Sequence, residues 1–488
     1  MSTTTECVIT SKAKELITRY NLKNVKPYHE SFIDVEAVLQ HLRTNYELNG
    51  LVKTPDLLCS DNLDISCTAS IRPYQDLVVK KILKDTKINP TLVVMPCGSG
   101  KTVTGIYILS KIKDRTLIVT NYKIVAKQWK HELMNKFSVS ENDIDCVSDT
   151  NFMQSTEKKL VTIVTYDTLI SISTTKSRST IVNILNMKFS LIILDEAHKA
   201  VASLYFSIIY RLSGPVVAFT ATPVREDSEL RHLEQLVQNT MEIDSDELIS
   251  SGYISRIVCS TIIVPTDAKL YSDKLTHTQK ISAAVINPYK LAYIHVLLTK
   301  MLSEKQRVII FCDDIFSMMY VHGKLKQIYD IIGPVTMQTS LCEREKCVQR
   351  FLENDNEGKI IMLSRTGDEG LDIPCATKLI QICTPWGSRR QHAQRVGRVQ
   401  RPCNDIFTLC EAITLVSDNT LEVEFAKRRD EYLLEMKYEV HLHHLEKNQI
   451  VPWTTSDEVI ADICKKQKKR KGITTKKKPV KKRQLKLL

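Results

Sequence analysis

The sequence predicts an α/β protein made of two tandem parallel-sheet units, with a small N-terminal unit and a disordered basic C-terminal tail. Three observations lead there. Short, β-branched apolar runs alternate with helical stretches from about Ala69 onward, the pattern of parallel strands joined by helical crossovers. The alternation weakens near Glu247–Thr276 and then restarts, which separates two units of similar length. A chain of 488 residues, 43% hydrophobic and 25% charged, has enough material for several ordinary cores.

Residues 1–66 read as an accessory unit in which Asp34 caps a helix bearing Val35, Val38, Leu39, Leu42 and Tyr46 on one face. The first α/β unit is expected over 67–245. Its strands are Thr91–Met95, Thr116–Thr120, Val161–Thr165, Leu191–Leu194 and Val216–Thr220, with helices opening at Lys101 and running over Ala126–Phe137. A linker is expected over 246–285. The second unit, over 286–445, takes strands at Val308–Cys312, Ile360–Leu363, Lys378–Cys383 and Ile406–Val416, and closes on a helix over Leu421–Met436. Residues 446–488 form the tail.

Charge is unevenly placed. The net charge is +12, yet Lys465–Leu488 holds 13 Lys/Arg and no Asp/Glu, so the body before it is close to neutral. Such a tail fits a nucleic-acid tether, a nuclear-localisation signal or a solvated end. No apolar run approaches the ~18 residues of a membrane span, so no membrane partner is expected. The opening Met-Ser-Thr-Thr-Thr-Glu-Cys has no secretory pattern, and an intracellular setting is expected. The 14 cysteines include no Cys-x-x-Cys pair, which fits reduced thiols better than a zinc site. His441, His443 and His444 read as polar surface.

Pro96-Cys97-Gly98-Ser99-Gly100-Lys101-Thr102 lies between a strand and a helix. Glycines there let backbone N–H groups surround a phosphate, and the helix N-terminus adds partial positive charge. Lys101 is placed to reach β- and γ-phosphates and Thr102 to bind Mg²⁺. Met95 stands where the general pattern has glycine. The strand Leu191–Leu194 ends in Asp195-Glu196-Ala197-His198. Buried carboxylates are costly unless used or paired: Asp195 is placed to hold Mg²⁺, and Glu196 to take the proton of an attacking water. Read alone, the acidic pair also suits a capped helix start. Thr220-Ala221-Thr222-Pro223 ends the next strand, with His198 as its expected partner.

In the second unit, Gln394 precedes Arg398 and Arg401, whose spacing on a helix puts both on one face toward a polyanion. Gly370 and Asp372 come after the strand Ile360–Leu363 and are expected near the cleft, where Asp372 suits a ribose hydroxyl. Read alone, these are a basic helix and a turn.

Together these motifs resemble a superfamily 2 helicase with a DEAH box. Arg72-Pro73-Tyr74-Gln75 is similar to that family's adenine-reading segment, with Gln75 as the reader; the turn at Gly98–Thr102, Asp195–His198, Thr220–Thr222 and Gln394–Arg401 come in the family's order. Arg225-Glu226-Asp227, Gly387–Gln391, Leu415–Ser417 and Lys427–Arg429 resemble XPB-type helicases, and the length is similar to that of the related helicases of large DNA viruses. The resemblance implies two RecA-like domains with ATP and Mg²⁺ between them. It further implies charge stabilisation by Arg398 and Arg401, and coupling to DNA unwinding through His198, Thr220, Thr222, Arg225, Glu226 and Asp227. Nucleic acid is the expected partner, DNA in preference to RNA, in transcription or repair. The setting would be nucleus or cytoplasm, or a virion for a viral protein. An RNA helicase or a motor subunit of a larger complex is the alternative. Backbone tracking is expected after the strands, at Thr120–Gln128, Thr165–Thr168 and Thr336–Ser340.

Overall fold

The computed structural model describes residues 65, 67–84, 87–147, 159–174, 187–221, 227–267, 269–353, 358–365, 373, 376–383, 389–400, 409–453 and 463. The helix expected at Asp34 therefore lies outside the described residues.

The first unit is a seven-stranded parallel sheet. Its strands are β1 (Thr91–Val94), β2 (Thr116–Thr120), β3 (Ile144–Cys146), β4 (Val161–Thr165), β5 (Leu191–Leu194), β6 (Val216–Thr220) and β7 (Asn239–Glu242), in the order β3-β4-β2-β5-β6-β1-β7. The central strands β1, β2, β4, β5 and β6 are buried at every residue. Alternate side chains feed two cores, one on each face: Val93, Ile118, Ile163 and Ile193 on one side, Leu92, Leu117, Val164 and Ile192 on the other. That is why these strands read as continuous apolar runs.

The second unit is also a seven-stranded parallel sheet: β8 (Ile257–Val264), β9 (Arg307–Cys312), β10 (Ile331–Val335), β11 (Lys359–Leu363), β12 (Lys378–Cys383), β13 (Cys410–Ser417) and β14 (Glu439–His444), in the order β10-β11-β9-β12-β13-β8-β14. Counted from its own first strand, each sheet winds in the same order. The sequence showed only a recurring alternation; the structure shows one topology used twice.

Two expected boundaries move. The segment read as a linker over 246–285 contains β8, which lies between β13 and β14, and the helix His277–Val285. Polar Ser260 and Thr261 interrupt the run, but Thr261 is satisfied in place by Asp430, 3.0 Å from its hydroxyl. The connection between sheets is thus only about Ile243–Arg256. At the other end, the expected tail from 446 begins with docked residues. Trp453 donates its backbone N–H to Pro288 O at 3.3 Å, and Ile463 is buried against Leu270, Ala283 and Ile286. The histidines at 441, 443 and 444 sit exposed on the edge strand β14.

Six helices matter for the site. They are α1 (Pro73–Ile82), α2 (Lys101–Ile112), α3 (Lys123–Phe137), α4 (Pro288–Ser303), α5 (Arg389–Val396) and α6 (Leu421–Glu435). Pro73 opens α1, where its missing N–H costs nothing. A buried ion pair, Lys290–Glu422 at 2.5 Å, joins α4 to α6. A second, Arg395–Asp313 at 2.6 Å, fixes α5 to the end of β9. Among the described residues no single helix is long and apolar enough to cross a membrane.

Candidate active site

The turn Pro96–Gly100 joins β1 to α2 at the carboxyl end of the sheet. Gly98 and Gly100 both have positive φ, 76° and 89°, a conformation that side chains disfavour by about 1–2 kcal/mol. Gly100 is also crowded: a Cβ there would sit 2.7 Å from the Gln75 amide nitrogen. Met95 needs no glycine. It is fully buried in the core, its N–H donates to Thr220 O at 2.9 Å, and its carbonyl accepts from Lys101 Nζ at 3.4 Å. Lys101 therefore lies folded over the turn with its ammonium toward the space a phosphate would take.

The turn is braced from α1. Gln75 is buried; its amide nitrogen lies 3.4 Å from the carbonyls of Ser99 and Gly100, and its Oε1 accepts from Arg72 N at 2.9 Å. Tyr74 donates its hydroxyl to Ser99 O. Arg72 donates to Tyr74 Oη at 3.1 Å and to Tyr253 O at 3.2 Å, which ties the connection between the units to the same brace. Gly100→Ala is expected to lower stability by about 1–2 kcal/mol through the left-handed backbone alone, and to weaken ATP binding by displacing Gln75. Urea denaturation and a fluorescent-nucleotide titration measure the two effects.

The carboxylates sit at the end of β5, two strands from β1 in the same sheet. Asp195 is buried and accepts the Trp129 indole N–H on Oδ2 at 3.0 Å; its backbone carbonyl accepts the Tyr166 hydroxyl at 3.0 Å. Glu196 has φ 52° and ψ 56°, a left-handed backbone that a non-glycine residue rarely adopts. His198 Nδ1 lies 3.3 Å from Glu196 Oε2. His198 thus faces the carboxylate, a contact the sequence did not predict, while its turn, Ala197–Lys199, packs beside the end of β6.

The two acids are driven apart. Burial, and then the neighbouring Glu196 charge, push Asp195 up to about 6. Burial acts upward on Glu196 too, but His198 and Lys101 outweigh it and hold that carboxyl down at about 2. Glu196 is therefore held in its carboxylate form. The donor set suits Mg²⁺. Among the described residues no group of three or more His, Cys, Asp or Glu side chains could hold a metal. A single carboxylate with a hydroxyl is what a metal needs when it takes its other ligands from phosphates and water. Asp195 and Thr102 are the residues that could offer such oxygens, Asp195 buried and Thr102 partly exposed.

The second unit reaches the turn directly. A Cβ on Gly397 would lie 2.3 Å from Cys97 Cβ and 2.6 Å from its Sγ, so the backbone at Gly397 is flush with the phosphate turn. Beside this contact is a cleft of about 870 Å³, walled by Pro96, Cys97 and Glu242 from the first unit and by Ala393, Gln394, Gln400 and Tyr438 from the second. Gln394 lines this cleft, whereas Lys101, Thr102, Asp195, Glu196 and Arg398 are not among its walls. The expected helical spacing of Arg398 and Arg401 is corrected: α5 ends at Val396, and Arg398 stands in the turn after it, bonded through its N–H to Arg395 O at 3.0 Å. The sequence carried no stop signal but Gly397. Thr222, Arg225, Glu226, Gly370, Asp372 and Arg401 lie outside the described residues; Asp227 opens the helix Asp227–Leu236.

Sequence reasoning missed the bracing by Tyr74, Tyr253 and Tyr166 and the indole bond of Trp129. Only Trp129 left a signal, since a buried indole N–H needs a partner.

Comparison with known proteins gives two family-model matches. Residues 248–484 match the ERCC3/RAD25/XPB C-terminal helicase, and residues 68–225 match the type III restriction enzyme res subunit. The chain is 29% identical over 450 residues to the general transcription and DNA repair factor IIH helicase/translocase subunit XPB of Enterocytozoon bieneusi, covering 88% of this chain and 71% of that protein. It is 29% identical over 417 residues to the XPB/SSL2 subunit of Saccharomyces cerevisiae, covering 82% and 48%. The Dictyostelium discoideum subunit is 29% identical over 80% of this chain and 49% of its own length. The chain thus spans about half of two of these relatives. Among solved structures, the DEAD-box helicase Mss116 bound to ssRNA and UDP-BeF superposes with a TM-score of 0.55 at 15% identity, over 80% of this chain and 76% of that one. That likeness concerns the two-sheet fold.

Proposed function

We propose that this chain is a superfamily 2 helicase of the XPB type, an ATP-dependent DNA helicase or duplex translocase that fires where its two sheets meet. One observation carries the reading: Gly397 lies flush with Cys97, so the segment from Gln394 to Arg398 meets the phosphate turn from the opposite unit.

In this reading Lys101 and the turn from Met95 to Thr102 hold the phosphates, and Gln75 reads the adenine while bracing the turn. Thr102 and Asp195 hold Mg²⁺. When bound, the ion offsets negative charge on the β- and γ-phosphate oxygens. Glu196 accepts the proton of the attacking water, and Gln394 orients it. Arg398 and Arg401 meet the charge that develops as the γ-phosphoryl departs. Gly370 and Asp372 contact the ribose. Loss of the γ-phosphoryl removes what the arginines hold, so the contact at Gly397 relaxes and the units separate.

His198, Thr220, Thr222, Arg225, Glu226 and Asp227 carry this change toward DNA. The strand ends at Thr120–Gln128, Thr165–Thr168 and Thr336–Ser340 contact its backbone, which makes binding salt-sensitive and indifferent to sequence. The last of these loops is stiffened by Arg344, whose guanidinium donates to the carbonyls of Thr336, Met337 and Thr339 at 2.8–3.1 Å. The relatives' names, transcription and DNA repair factor subunits, favour work alongside transcription machinery in a nucleus; the length shared with the helicases of large DNA viruses leaves a viral counterpart in cytoplasm or virion as the other setting.

An ATPase assay with single-stranded DNA, duplex DNA and RNA, paired with strand displacement, tests the proposal. DNA is expected to stimulate turnover more than RNA does. Stimulation by RNA alone would make the protein an RNA motor, and no stimulation by either would remove the motor reading.

A further inference from the structure

Trp129 lies on α3, outside every motif assigned to the nucleotide, and is fully buried. Its indole sits between three parts of the site. Its N–H donates to Asp195 Oδ2 at 3.0 Å. Its six-membered ring packs over Gly105 of α2, the helix that begins with Lys101 and Thr102; a Cβ on Gly105 would lie 2.7 Å from the ring. Its own helix comes after β2, whose Val119 carbonyl accepts the Asp195 N–H at 2.9 Å. The indole is therefore a spacer of fixed width between the helix carrying Thr102 and the strand carrying Asp195.

We infer that Trp129 is a positioning residue for the metal: its N–H fixes Asp195 in the orientation that leaves Oδ1 for Mg²⁺. The inference rests on the ATPase reading above. A carboxylate that faces a metal with one oxygen is commonly held by a hydrogen bond on the other, and removing such a partner typically costs about 10–100-fold in metal affinity or activity. If Trp129 only filled the core, removing the N–H while keeping the ring would leave metal use unchanged.

The test is Mg²⁺ titration of fluorescent ADP binding to the full chain, with a parallel titration in EDTA. Trp129→Phe keeps much of the ring. A second variant carrying 3-benzothienylalanine at 129 replaces the N–H by sulfur at nearly constant shape, so it is read if the first is unstable. Both are expected to need about tenfold more Mg²⁺ for half-saturation, with metal-free ADP affinity unchanged. Wild-type Mg²⁺ dependence in the benzothienyl variant would overturn the inference while leaving the ATPase reading intact. Absence of Mg²⁺-dependent nucleotide binding in the wild-type protein would overturn both.

Discussion

Glu196→Gln lowers steady-state ATP turnover by about 10²–10⁴-fold, the usual share of a positioned general base, and leaves nucleotide affinity within a few-fold of wild type. The substitution keeps the side chain's size at a backbone position already held in the left-handed region, so the turn at Ala197–Lys199 should persist. It also removes the like charge that helps raise Asp195. The pH dependence has a definite sign. Asp195 in the nucleotide-free protein takes up a proton near 6, so Mg²⁺-dependent binding weakens as pH falls through that value. In Glu196→Gln the limb moves to lower pH. For folding, the raised value of Asp195 means that its contribution is full below its unfolded value, near 3.9, and is lost as pH rises through about 6. At neutral pH ionised Asp195 therefore carries an electrostatic cost that a bound cation would relieve. Steady-state ATPase and equilibrium nucleotide titrations over pH check each point; turnover within tenfold of wild type would remove Glu196 from the chemistry.

Arg398→Ala is the second large effect. Arginines supplied across a cleft to a departing phosphoryl group contribute about 10³–10⁵ in rate, so kcat should fall by about that much with ATP affinity little changed. The position of Arg398 depends on the residue before it. Gly397→Ala puts a methyl group 2.3 Å from Cys97 Cβ, which holds the units apart and should reproduce much of the Arg398→Ala defect. Adding Cys97→Gly removes the opposing Cβ, and turnover should recover in the double variant. Single-turnover hydrolysis measures all three. A fully active Gly397→Ala protein would mean that hydrolysis does not use this contact.

Much of the nucleotide side was legible because its chemistry is contiguous. Pro96–Thr102 and Asp195–His198 each come directly after an unbroken apolar strand, so their place at the carboxyl end of the sheet could be read from the same few residues that suggested their chemistry. Five strands were not legible, for physical reasons. Asn239–Glu242 and Glu439–His444 lie at sheet edges and face solvent. Ile144–Cys146 is an outer strand of three residues, and Ile331–Val335 an outer strand whose apolar run is broken by Gly333-Pro334. Ile257–Val264 is interior but carries Ser260 and Thr261, whose acceptability depends on Asp430 from a distant helix. The contact of Cys97 with Gly397, and that of Trp129 with Asp195, join residues far apart in sequence. Each partner has an ordinary local explanation, a turn residue or a core aromatic, until the fold places it against the other.

The repeated winding has a further consequence. Counted within its own sheet, β8 is the counterpart of β1, yet β8 runs into Pro265-Thr266-Asp267 and not into a glycine turn with lysine. That strand end is sealed: Asn287 Nδ2 donates to Pro265 O at 2.7 Å, and the Thr266 hydroxyl donates to Asp418 O at 2.6 Å. Of two topologically equivalent seats, only one is open to fuel. Under the proposed function, one triphosphate is expected per polypeptide per stroke, and the saturation curve should be hyperbolic, with any sigmoidal response arising between chains.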